Sequence, residues 1–157
     1  MKYLITALMV LGIVAEAGAQ ESSVKKIDSL AKTIRPQKLI FVSFRRIDVI
    51  DSLTGARSSL YHHYYFDKAR RELRSVHVYE NDKKHKAGRQ IAYTFYDDEV
   101  IKVTFIPAAK ECKQCKAEYF FSEGKLIYRT EVKVPPQNIE HYQAQARLFL
   151  AQMPRRP

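Results

Sequence analysis

Residues 91–106 read IAYTFYDDEVIKVTFI. Large apolar residues alternate with smaller or polar ones on both sides of Asp97-Asp98. Ile91, Tyr93 and Phe95 come before the pair, and Ile101, Val103 and Phe105 come after it. A period of two sets such residues on one face of a strand. An acidic dipeptide between two such runs makes a tight turn. The stretch reads as a hairpin with one buried and one half-wet face, as in an antiparallel sheet with helices on one side.

The pattern recurs on either side. His63–Tyr79 and Glu118–Val132 each hold an aromatic-rich strand, a turn segment and an aliphatic strand. Tyr64-Tyr65-Phe66-Asp67 and Tyr119-Phe120-Phe121-Ser122 match Tyr93-Thr94-Phe95-Tyr96-Asp97. The linkers are too uneven for a solenoid. A continuous meander accounts for the echo, because sequential strands usually pair. Strands are predicted at Lys38–Asp48, Leu60–Phe66, Leu73–Tyr79, Ile91–Tyr96, Val100–Ile106, Ala117–Phe121 and Leu126–Val134. In the last of these, Leu126, Tyr128, Thr130, Val132 and Val134 share one face, with Arg129, Glu131 and Lys133 on the other. Hairpins such as Gly124-Lys125-Leu126-Ile127 resemble those of many exported bacterial proteins. That likeness covers short stretches and transfers no functional residue.

Two helices bracket the strands. Val24, Ile27, Leu30, Ala31 and Ile34 recur at helical spacing over 22–34, with Ser22 or Ser23 as cap and Arg35-Pro36 as stop. Lys25, Lys26, Asp28 and Lys32 make its wet side. After Pro135-Pro136, Asn138 caps a helix over 139–153. Its apolar stripe is Ile139, Tyr142, Ala146, Phe149, Leu150 and Met153. The fold class is therefore α+β: an antiparallel meander of six to eight strands packed by an N-terminal and a C-terminal helix. Both helices are expected to cover one apolar face, giving two layers.

The chain of 157 residues has room for one domain. Its 46% apolar content and 18 Tyr and Phe residues exclude wholesale disorder. Met1-Lys2, an apolar run over Tyr3–Ala15 and the small residues Ala17 and Ala19 read as a secretory signal peptide cut after Ala19. The run, about 13 residues, is too short to span a bilayer comfortably. The organisation is thus a signal peptide, 1–19, and a single α+β domain, 20–157. The expected location is the periplasm or outside the cell. Lys and Arg number 27 against 17 Asp and Glu, a formal net charge of +10. In an exported protein such charge points to lipid head groups, acidic polysaccharide or an envelope protein, not to nucleic acid.

Cys112-Lys113-Gln114-Cys115 is the sharpest motif. In an oxidising compartment it reads as a structural disulfide closing a loop between strands. A redox pair and half of a metal site are the alternatives. Redox pairs of this spacing usually open a helix after a strand, and here strands flank the motif. His62 and His63 are adjacent on a strand, so they point to opposite faces and cannot share a metal. His77 can sit across from one of them. Asp97, Asp98 and Glu99 are explained as turn residues. No G-x-S-x-G, P-loop, dinucleotide fingerprint or H-E-x-x-H is present. No cofactor and no metal is expected.

The candidate binding residues are basic: Arg70, Arg71 and Arg74 in one cluster, and Lys83, Lys84, Lys86 and Arg89 in another. If their loops share one edge of the sheet, they form a basic rim for phosphate or carboxylate groups. The sequence reading is an exported, non-catalytic binding or accessory protein of the bacterial envelope. The alternative is a periplasmic carrier of a lipid-like ligand, with Phe95, Phe105, Tyr128, Tyr142 and Phe149 lining a cavity between a curved sheet and its helices.

Overall fold

The computed structural model describes residues 20–34, 39–50, 57–67, 72–82, 88–108, 114–134 and 137–152. Alternating apolar residues between turn signals form seven strands: β1 (Ile40–Ile50), β2 (Arg57–Phe66), β3 (Leu73–Asp82), β4 (Gln90–Tyr96), β5 (Glu99–Ile106), β6 (Lys116–Ser122) and β7 (Lys125–Val132). They pair in chain order from β1 to β7, each antiparallel to the next. The meander expected from the hairpin echo is present. Asp97 and Asp98 both have positive φ, as do Glu123 and Gly124. Two consecutive left-handed residues make the turn that matches strand twist; aspartate and glycine tolerate it at Asp97, Asp98 and Gly124.

A helix over 20–33, α1, precedes the sheet, and α2 (Ile139–Ala151) follows it. Asn138 caps α2 as its sequence implied, with Oδ1 accepting from the His141 N–H at 3.0 Å. Tyr142, Ala146 and Phe149 form the buried stripe of α2. Tyr142 packs on Tyr119 of β6, ring centroids 5.7 Å apart. Phe149, two turns later, packs on Tyr93 of β4 at 5.1 Å and on His62 of β2 at 5.3 Å. The helix therefore crosses the sheet obliquely and ends over β1, where Arg45 Nη1 donates to Gln152 Oε1. Beneath it lie Val76, Tyr93, Phe95, Val103, Tyr119 and Phe121, all essentially inaccessible.

The two helices do not share a face. Asp28 of α1 binds Lys102 of β5, whose neighbour Val103 belongs to the core under α2. Successive strand residues point to opposite faces, so α1 lies on the far side. The expected two-layer sandwich is corrected to a sheet between two helices. Asp28 is corrected with it, from the wet side of its helix to a half-buried ion pair. The apolar residues Val24, Ile27, Leu30, Ala31 and Ile34 of α1 are all only half-buried, so α1 is the weaker cover.

Two local shifts alter the predicted faces. The register slips between Thr94/Phe95 and Lys102/Val100, which makes Ile101 the extra residue of β5. Val100, not Ile101, consequently packs against the core cluster. In β7, Tyr119 pairs with Arg129 and Phe120 with Tyr128. The charged face of β7 thus looks toward α2. Its apolar face looks toward α1 and stays open, with Tyr128 44% and Val132 50% exposed.

Candidate functional site

Meander connectivity decides where the basic segments go. The connection after β2 and the connection after β3 must lie at opposite ends of β3, ten residues long. At about 3.3 Å per residue those ends are roughly 30 Å apart. The strand ends that flank the two basic segments therefore lie at opposite ends of the sheet, with Arg74 at one and Arg89 at the other. Arg70, Arg71, Lys83, Lys84 and Lys86 lie outside the described residues, and only their flanking strand ends are placed.

Arg74 is not a surface contact. It is the extra residue of β3 where the register slips beside Phe66, and its side chain is 7% exposed. Its guanidinium lies 2.7 Å from Glu72 Oε2 and 3.5 Å from Asp67 Oδ2, and 5.2 Å over the Tyr96 ring. The cost of burying this cation is offset by two carboxylates and an aromatic face. Its chemistry is structural.

The end that carries Arg89 gathers more charge. Arg89 is exposed, and its carbonyl accepts from the Glu80 N–H. Lys116 at the start of β6 and Lys133 after β7 are exposed at the same end. The opposite end presents Asp97, Asp98, Glu99 and Glu123, all exposed, against one exposed lysine, Lys125, at the start of β7. A shallow cleft of about 170 Å³ lies at that acidic end, between Asp98, Glu99, Gly124, Gln143 and Arg147.

The face under α1 holds an ionic network that sequence reading missed. Lys102 Nζ lies 2.7 Å from Asp28 Oδ1 and 2.8 Å from Glu118 Oε1, and 4.7 Å over the Phe120 ring. Lys116 and Lys32 extend the network through Glu118 and Asp28. Burial pulls the Lys102 pKa down, but its two carboxylate hydrogen bonds outweigh burial and hold it above the ordinary lysine value. Hydrogen bonds from Lys102 and Lys32 hold Asp28 below the usual carboxylate range. Burial raises Glu118, and the bonds from Lys102 and Lys116 reverse the shift to a net lowering.

Beyond this network the same face carries an aromatic ladder on β2 and β3. His63 stands opposite His77. Each ring engages a tyrosine on the neighbouring strand. His63 packs on Tyr79 at 4.9 Å, and His77 on Tyr65 at 5.0 Å. His77 Nδ1 lies 3.2 Å from the Tyr79 hydroxyl. Burial, then the facing His63, pushes His77 down to about 4. Burial alone lowers His63. His62 points the other way, into the core, where burial and then Arg45 lower it. No group of three or more His, Cys, Asp or Glu able to hold a metal occurs among the described residues.

Cys112 lies outside the described residues. Cys115 is buried at the start of β6, with Sγ 3.1 Å from the Lys133 carbonyl, and no described cysteine is a free thiol. The residues named for a carrier cavity do not converge. Phe95, Phe105, Tyr142 and Phe149 belong to the packed core under α2, whereas Tyr128 lies on the other face against Phe120. No helix among the described residues is long and apolar enough to cross a membrane. No protein-family model, curated protein or solved structure matches this chain.

Proposed function

We propose that this chain is an exported, non-catalytic binding protein of the bacterial envelope. It meets an anionic surface through Lys83, Lys84, Lys86 and Arg89. The observation that carries the reading is the segregation of charge along the strands. Exposed Arg89, Lys116 and Lys133 stand at one end, and Asp97, Asp98, Glu99 and Glu123 at the other. Such a dipole orients the molecule and speeds its encounter with a negative surface. The signal-like residues 1–19 lie outside the described residues and support export by their sequence alone. The Cys112–Cys115 disulfide belongs to the same reading, because it needs an oxidising compartment. The test is co-sedimentation with phosphatidylglycerol vesicles at low and high salt, with phosphatidylcholine vesicles as control. The wild type should bind only the anionic vesicles and release at high salt, and K83E/K84E/K86E should not bind while keeping its circular dichroism. Equal binding by that variant sinks the proposal.

A further inference from the structure

We infer that β7 is the interface of a symmetric dimer, pairing edge to edge with β7 of a second copy in a register centred on Thr130. β7 is the last strand of the sheet, and no described strand covers its outer edge. Edge strands of stable monomers are blunted by bulges, prolines, charged side chains or great brevity. From Tyr128 to Val132 this strand has no bulge, proline or lysine, its two charges, Arg129 and Glu131, are opposite in sign, and its pairing with β6 is regular from Phe120↔Tyr128 to Lys116↔Val132. The register slip falls earlier, at Ile127, whose carbonyl accepts from the Gln20 side chain. That leaves the Tyr128–Val132 edge for another chain.

The sequence of this segment is complementary to itself when reversed. A two-fold axis through Thr130 sets Arg129 opposite Glu131 of the partner subunit, and Glu131 opposite Arg129 of the partner subunit. On the other face it sets Tyr128 opposite Val132 of the partner subunit, with the reciprocal pair, and Thr130 opposite its own copy. Each contact is a favourable cross-strand type: opposite charges, aromatic with β-branched, and threonine with threonine. Both copies use the same patch, as an isologous interface requires. The pairing covers Tyr128 and Val132, two of the most exposed large apolar residues. Arg129 is exposed, and Glu131 accepts one hydrogen bond from the Tyr119 hydroxyl at 3.1 Å, which leaves its second oxygen for arginine. The other edge, β1, has no such symmetry. Self-pairing about its centre places Arg45 opposite its own copy, like charge against like, and Arg45 already binds Gln152.

The experiment is sedimentation equilibrium of the purified protein from about 1 μM to about 1 mM, spanning weak and moderate association. The wild type should dimerise across this range, more weakly at high salt. R129E puts glutamate against Glu131 at both pairs and should weaken dimerisation about tenfold. E131R should do the same with arginine against arginine. Mixed together, the two variants should form a heterodimer, because every pair is then opposite in sign. Arg129 is exposed, so R129E tests the pairing even if E131R, which loses the Tyr119 bond, does not fold. A monomeric wild type throughout the range overturns the inference, as does a wild-type dimer that R129E leaves unchanged, or two folded variants that do not associate when mixed.

Discussion

Acid should unfold this protein in part through one side chain. His77 stands on β3 between His63 of β2 and Ala92 of β4, with the Tyr65 and Tyr79 rings against it. None of these neighbours offers a carboxylate. Burial first, and the facing His63 second, push its pKa from the ordinary 6.5 to about 4. The unfolded chain takes up a proton as pH falls through the ordinary value, and the folded protein does not until far lower. Between those values the unfolded state holds the extra proton, so falling pH favours unfolding. Above about pH 7 both states are neutral and the effect vanishes. At about 1.4 kcal/mol per unit, the full shift is worth about 3 kcal/mol, most of it reached by pH 4.5. That is a large part of a typical domain stability. The perturbation is His77→Gln, which cannot titrate. Stability would be measured by urea unfolding at pH 7.5 and at pH 4.5, followed by circular dichroism. The wild type should lose about 2–3 kcal/mol more than the variant over that interval, because carboxylates and the other histidines contribute equally to both. Acid losses equal to within about half a kcal/mol would refute the argument. So would an NMR titration that places the His77 ring pKa near its ordinary value.

Phe149 is fully buried against His62, Tyr64 and Tyr93. Phe149→Ala should therefore cost about 3–5 kcal/mol in urea unfolding, and a loss under about 1 kcal/mol would contradict the packing. Asp28→Asn removes the α1 carboxylate that binds Lys102. Amide exchange over residues 20–33 should accelerate, while β4 and β5 stay protected; unchanged exchange in α1 would show that the ion pair does not hold the helix. Cys115→Ser should lower stability by about 2 kcal/mol through loss of a short closed loop. The wild-type mass should rise by about 2 Da on reduction, and no rise would rule out the disulfide.

The period-two alternation of residues 91–106 and its two echoes specified an antiparallel meander, because each strand's neighbour in sequence is its neighbour in space. Turn positions were readable for the same local reason: Asp97, Asp98 and Gly124 tolerate left-handed backbone. Asn138 and the Tyr142–Ala146–Phe149 spacing announced α2 and its buried stripe. The adjacency of His62 and His63 on one strand was enough to send one inward and the other outward.

Other features depended on contacts between distant residues. Arg74 looked like part of a basic cluster, and only the fold brought Asp67, Glu72 and the Tyr96 ring around it. Asp28 and Lys102 are 74 residues apart, so no local pattern could announce their ion pair or put α1 on the face opposite α2. The basic clusters were visible as composition, but strand direction decided that Arg74 and Arg89 lie at opposite ends of the sheet. Local preference sets the elements, since backbone sterics and side-chain period act over a few residues. Which face a helix covers, which charge finds a partner and which edge stays open are set by packing, where distant parts of the chain meet in a low-dielectric interior.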